Sequence, residues 1–85
     1  MESQKLTNRL NRIQGQIEAI KKNLDSTEAH DCEETIQLLK AVRGALQKFG
    51  EAYIQAYTKE CISSINDPIQ MKQKYDEILQ SALEL

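Results

Sequence analysis

Apolar residues recur at helical spacing along most of this chain. Leu6, Leu10, Ile13, Ile17, Ile20 and Leu24 follow one another at alternating steps of four and three. That rhythm draws one apolar stripe along a helix from about Ser3 to Leu24 or Asp25. A longer pattern runs from Asp31 to Ile65, where Ile36, Leu39, Val42, Leu46, Phe49, Tyr53, Ile54 and Tyr57 keep the same period. No proline interrupts it and straight-chain helix formers fill most of the gaps, so one long helix is predicted. Gly44 and Gly50 weaken that helix by about 1 kcal/mol each and are candidates for close helix contacts.

Polar punctuation separates the stripes. The link from Ser26 to Asp31 (STEAHD) is short, so the first two helices are expected to fold back as an antiparallel hairpin. Asp31 suits the N-cap of the long helix, with Glu33 and Glu34 in its first turn. Asn66-Asp67-Pro68 reads as a stop followed by a restart, Asp67 capping and Pro68 taking the first helical position. The last helix, about Pro68 to Ala82, is expected to turn Ile69, Tyr75, Ile78, Leu79 and Ala82 inward. The expectation is an all-α chain of three helices, a single domain over residues 1–85, with no internal repeat.

Length sharpens this picture. A compact 85-residue subunit has a radius of gyration near 12 Å, yet a helix of some 30 residues is about 45 Å long. The long helix would project beyond any core one chain can build, so oligomerisation is expected. No apolar run approaches a membrane span, and the opening MESQKLTNRL lacks the apolar core of a signal peptide. We therefore expect a cytoplasmic protein. In that compartment two cysteines point to reduced, metal-binding or redox-active thiols more than to a structural staple.

Those thiols have a defined geometry. Cys32 and Cys61 are 29 residues apart, which puts them within about 20° of each other around a straight helix but roughly 43 Å apart along it. A disulfide needs Cα atoms within about 7 Å, so the two cannot pair inside one helix. If two copies pack antiparallel about a two-fold axis near Leu46 and Gln47, Cys32 of one chain comes level with Cys61 of the other. Two identical two-thiol sites would result. The helix dipole favours a negative group at Cys32, and the neighbouring Glu33 and Glu34 oppose it. His30, the only histidine, is either a solvated loop residue or a ligand beside Cys32.

Charge is unevenly spread although the net charge is only −2. Residues 1–22 carry five basic residues against Glu2 and Glu18, whereas the remainder carries six basic and eleven acidic. Lys5, Arg9 and Arg12 fall within about 60° of one another, roughly 100° from the apolar stripe. This basic face is either a solvated flank or, repeated in an oligomer, a phosphate-contacting surface. There is no phosphate loop, no CxxC, no HExxH, and no nucleophile with an adjacent base. The expectation is a protein that is not an enzyme and needs no cofactor.

The run LTNRLNRIQGQIEAI (Leu6 to Ile20), the text around Cys32, the block AVRGAL (Ala41 to Leu46) and Cys61 follow one another along the chain. In that order and spacing the chain resembles the CsoR/RcnR family of bacterial repressors, and the first run is similar to the family's first helix. The resemblance implies a three-helix subunit, an antiparallel dimer of hairpins forming a four-helix bundle, and a dimer of dimers. It also implies operator DNA as partner, bound by basic residues without a helix-turn-helix and released when an inducer reacts at an inter-subunit thiol site. Charge pattern and resemblance together nominate Lys5, Arg9, Arg12 and Arg43 for DNA contact, with support of the dimer interface as the other reading of Arg43.

The branch depends on the site positions. Copper-sensing members place a cysteine, a histidine and a second cysteine where this chain has Cys32, Tyr57 and Cys61. A phenol is a poor partner for soft Cu(I), although two thiolates remain. Nickel and cobalt sensors carry more histidines, one near the N-terminus, where this chain reads MESQ. Formaldehyde sensors carry proline at position two, which here is Glu2. Glu77 falls where copper sensors keep a carboxylate near the site, but the tyrosine that partners it is Asp31 here. Tyr57 is a packing residue or a wall of the site. The pattern that remains is similar to the persulfide-sensing, CstR-like repressors. It implies reactive sulfur species as inducer, bridging Cys32 to Cys61 of a partner through one or more sulfurs. The alternatives are a Cu(I) sensor using Cys32 and Cys61, with or without His30 as a recruited ligand, and a helical scaffold with structural cysteines that does not bind DNA.

Overall fold

The structure, a computed structural model, describes residues 2–25, 31–62 and 65–85. The described residues form four helices: α1 (Glu2–Asp25), α2 (Cys32–Ala56), α3 (Thr58–Ile62) and α4 (Pro68–Leu83). His30 and most of the STEAHD link lie outside the described residues.

Helices α1 and α2 lie antiparallel. The start of α1, at Lys5 and Leu6, sits beside Gln55 and Ala56 at the end of α2, while Asn23 Nδ2 reaches Thr35 Oγ1 at the other end, 3.5 Å away. Both predicted caps are formed. Asp31 accepts the Glu34 N–H at 3.0 Å, and Asp67 accepts the Ile69 N–H at 3.0 Å ahead of Pro68. Each cap satisfies an amide that the first helical turn leaves without a partner.

The predicted long helix is broken at Tyr57, which raises the count from three helices to four. Tyr57 leaves helical geometry at φ −121° and ψ 36°, although its N–H still donates to Tyr53 O at 3.0 Å. Cys61 N–H donates in turn to Tyr57 O at 3.0 Å, so the helical bonding resumes at once. The Thr58 hydroxyl donates to Ile54 O at 2.8 Å. A threonine bonding back to the carbonyl four residues earlier bends helices, which accounts for the break without glycine or proline.

After Pro68, α4 packs back onto α2. The helices approach closely at Gly50, where a Cβ would come 3.2 Å from Ala82 Cβ. Arg43 Nε and Gln47 Nε2 donate to Leu85 O at 2.9 Å each, and Gln47 Nε2 also to Leu83 O at 2.9 Å. Ile69, expected inside, is 70% exposed: it lies in the first turn of α4, while the buried contact of that helix is at its other end, at Ala82.

This core is thin. Leu6, Ile13, Val42, Ile54 and Ala82 are buried, and among the described residues no large side chain is completely shielded. The radius of gyration is 17.1 Å and the extents are 58 × 26 × 14 Å, against about 12 Å for a compact subunit of this length. Leu10, Ile17, Leu39, Leu46 and Tyr53 remain exposed on the hairpin. No helix among the described residues is long and apolar enough to cross a membrane.

Candidate functional site

The two thiols mark opposite ends of the α2–α3 rod. Cys32 is the first residue of α2, just inside the Asp31 cap, and is exposed. Cys61 lies in α3, half-buried. The 24 steps from Cys32 to Ala56 alone span about 36 Å, so neither thiol reaches the other within one subunit. An aromatic ladder leads to the second thiol. Phe49 and Tyr53 have ring centroids 6.3 Å apart, and Tyr53 and Tyr57 are 5.2 Å apart. Tyr57 therefore packs against Tyr53 one helical turn before Cys61, half-buried, at the point where the rod bends.

Glu77 is not drawn to either thiol within the subunit. Its carboxylate is 71% exposed and lies 3.9 Å from Lys74 Nζ, an ion pair of little energetic weight at that exposure. Among the described residues no three of His, Cys, Asp and Glu come together as a metal-binding group. One subunit thus offers a metal two separated thiols and no shared donor set.

The cations are arranged on the other side of the hairpin. Lys5 and Arg9 line a cleft between α1 and the end of α2. Arg9 and Arg12 line a second cleft, continuous through Arg9, of about 440 Å³. Its α2 wall carries Lys40 and Lys48, with Gly44 between them. The structure thus brings together Lys5, Arg9 and Arg12 as the sequence led us to expect. Arg43 stands apart, its guanidinium engaged by the Leu85 carbonyl on the α4 side of α2. Lys40 and Lys48 were not among the expected contacts. The signal that finds them is Lys40, Gly44 and Lys48 at steps of four, a basic edge with a small residue at its centre.

The family of these features is decided by comparison. The sequence profile of the metal-sensitive transcriptional repressor family matches residues 2–84. The chain belongs to that family. The transcriptional repressor RcnR of Escherichia coli (strain K12) is 35% identical over 78 residues, covering 92% of this chain and 84% of the relative. RcnR of Shigella flexneri serotype 5b (strain 8401), and an RcnR homologue from Escherichia coli O139:H28 (strain E24377A / ETEC), match at the same identity and coverage. No solved structure matches the chain. The CsoR/RcnR resemblance read from LTNRLNRIQGQIEAI is thereby borne out, and the chain is a member of a repressor family rather than an enzyme family. The metal that the family description implies finds a poor fit in the described residues of one subunit, since the two thiols stand at opposite ends of the α2–α3 rod and no group of three His, Cys, Asp or Glu comes together.

Proposed function

We propose that this repressor binds operator DNA as a homodimer paired into a homotetramer, and senses reactive sulfur species through Cys32 and Cys61 of the partner subunit. The observation that carries this reading is the pairing of an exposed apolar stripe on α2 with one free thiol at each end of the α2–α3 rod. Leu39, Leu46 and Tyr53 lie at steps of seven on one face and need a cover. A second copy, antiparallel about a two-fold axis near Leu46 and Gln47, covers that stripe with its own and sets each Cys32 opposite the partner's Cys61.

The chemistry needs only these thiols and a persulfide RS–SH. The Cys32 thiolate attacks the outer sulfur, forms Cys32–S–SH and releases RS⁻. Cys61 of the partner subunit then attacks the Cys32 sulfur and displaces HS⁻, leaving a disulfide. Two thiols lose two electrons, and the persulfide is reduced to RSH and H₂S. With polysulfides, additional sulfur atoms stay in the bridge. Tyr57 and the bend beside it shape access to Cys61. Cross-linking the two rods re-angles the hairpins, and the cations on their far face lose register with the phosphates.

Fluorescence anisotropy with duplex DNA from directly upstream of the protein's own coding sequence tests this. Polysulfide should release the DNA from the wild-type protein, whereas Cys32→Ser should bind equally well and not respond. Loss of binding by Cys32→Ser without inducer would make the thiol structural and remove the sensor reading. The family's metal-sensitive description favours a second reading, a Cu(I) sensor through the same two cysteines. Titration of Cu(I) against a strong chelator separates the two.

A further inference from the structure

The subunit is a plate 14 Å thick, a single layer of helices with α2 between α1 and α4. Folds close their cores between two packed layers, and this subunit supplies one. Measured from Leu46, Ala45, Ala52 and Ala41 lie about 100–140° round α2 in one sense and line the clefts against α1. Gly50, Arg43 and Gln47 lie about 40°, 60° and 100° round in the other sense and meet the end of α4. The stripe of Leu39, Leu46 and Tyr53 therefore runs between an α1 wall and an α4 wall. Helices pack with their axes about 8–10 Å apart, so a helix laid on the stripe beside the end of α4 touches that wall too.

The α4 wall is fastened at the middle of α2. Arg43 Nε donates to Leu85 O, and Gln47 Nε2 to Leu83 O and Leu85 O, all at 2.9 Å. The last carbonyls of a helix have no partner inside it, and these two side chains supply one. Gly50 admits the segment, with Leu85 Cδ1 3.5 Å from the position that a Cβ would take. The clasp leaves Leu83 and Leu85 46% and 53% exposed, level with the proposed two-fold axis near Leu46 and Gln47.

Area points the same way. The chain exposes 6639 Å², whereas a compact 9.7 kDa protein exposes about 5,100 Å². The excess, about 1,500 Å², is larger than the roughly 800 Å² that each partner covers in a standard interface. Leu39, Leu46 and Tyr53 are each already more than half covered and supply only part of it. We infer that the end of α4 is a further part of the subunit interface, where Leu83 and Leu85, held by Arg43 and Gln47, pack against the same segment of a second copy across the two-fold axis. The inference rests on the homodimer reading above. It adds two leucines to that contact and a positioning role for Arg43 and Gln47, so that Arg43 acts on DNA binding through assembly.

Fluorescence-detected sedimentation of the reduced full-length protein, from micromolar to picomolar concentration, tests this, with circular dichroism to check helix content. Leu83→Ser and Leu85→Ser should each raise the constant for dissociation into subunits by about tenfold or more, because a two-fold interface loses each leucine twice. Ile69→Ser, at the far end of α4 and equally exposed to solvent, should leave the constant as in the wild type. Arg43→Gln should speed hydrogen exchange of the amides from Ala82 to Leu85 and weaken the assembly. A further Leu85→Ser should then cost less than it does in the wild type. If the two leucine variants dissociate no more readily than Ile69→Ser, the α4 interface is overturned and the homodimer stands. Faster exchange in Arg43→Gln with an unchanged dissociation constant would overturn the positioning role. A wild type that is monomeric at every concentration overturns the homodimer and the α4 interface together.

Discussion

The two faces of the α1–α2 hairpin differ in almost every physical respect. Leu39, Leu46 and Tyr53 line one face of α2, all exposed and all apolar. About 160° around the helix from Leu46, on either side, stand Gly44 and Lys48, which belong to the cleft with Arg9 and Arg12. Among the described residues, one face leaves apolar side chains exposed, and the other gathers Arg9, Arg12, Lys40 and Lys48 without an ion pair. On the proposed reading a second copy covers the first face and operator DNA neutralises the second.

Substitutions can damage the two faces separately. The largest effect is expected from Leu46→Asp, which sets a carboxylate on the proposed two-fold axis opposite its own copy. An unpaired charge taken out of water costs several kcal/mol, so sedimentation should show loss of the oligomer and DNA binding should go with it. Oligomerisation unchanged by Leu46→Asp would contradict the assignment of that face. Ile54→Ala tests the thin core that holds the faces together. Ile54 is 3% exposed, and its truncation should lower stability by about 2–5 kcal/mol in a denaturant melt.

Smaller effects sharpen the contrast between the glycines of the two sides. Gly44→Ala meets open space in the subunit and should raise helix stability by up to about 1 kcal/mol, read as a higher midpoint of thermal unfolding. Gly50→Ala meets Ala82 at 3.2 Å, so its gain should be smaller or reversed. Equal gains at both positions would mean that α4 does not pack as tightly on α2 as the Gly50–Ala82 approach requires. Asp67→Ala, which removes the α4 cap, should cost about 1 kcal/mol and leave DNA affinity nearly unchanged. Glu18→Gln, which breaks an exposed pair with Lys21, should change stability by less than about 0.5 kcal/mol.

Much of this architecture was legible before any coordinates. The apolar period gave α1 to within a residue, and the capping chemistry of Asp31 and of Asp67-Pro68 gave the starts of α2 and α4. The bend at Tyr57 was not legible, because no glycine or proline announces it. It comes from a threonine hydroxyl bonding back to Ile54, and threonine occurs in straight helices as well. Ile69 followed the apolar period yet faces solvent, since period places a residue on a face but not beneath a neighbour. Lys5, Arg9 and Arg12 stood out as a local excess of charge. Lys40 and Lys48 did not, because they stand eight residues apart in a helix bounded by Glu33, Glu34 and Glu51, and nothing in the sequence says that they face Arg9 and Arg12. Arg43 drew attention through the AVRGAL block, and the acceptor that holds it, Leu85 O, is 42 residues away in sequence.

The central claim is a sulfur-dependent bond between Cys32 of one subunit and Cys61 of the other. Intact mass spectrometry without reductant, after separate exposure to polysulfide and to hydrogen peroxide, tests it most directly. The account predicts a covalent dimer whose bridged peptides contain Cys32 and Cys61, with added sulfur mass after polysulfide alone. Monomer masses under both reagents, with both thiols still free, would contradict it.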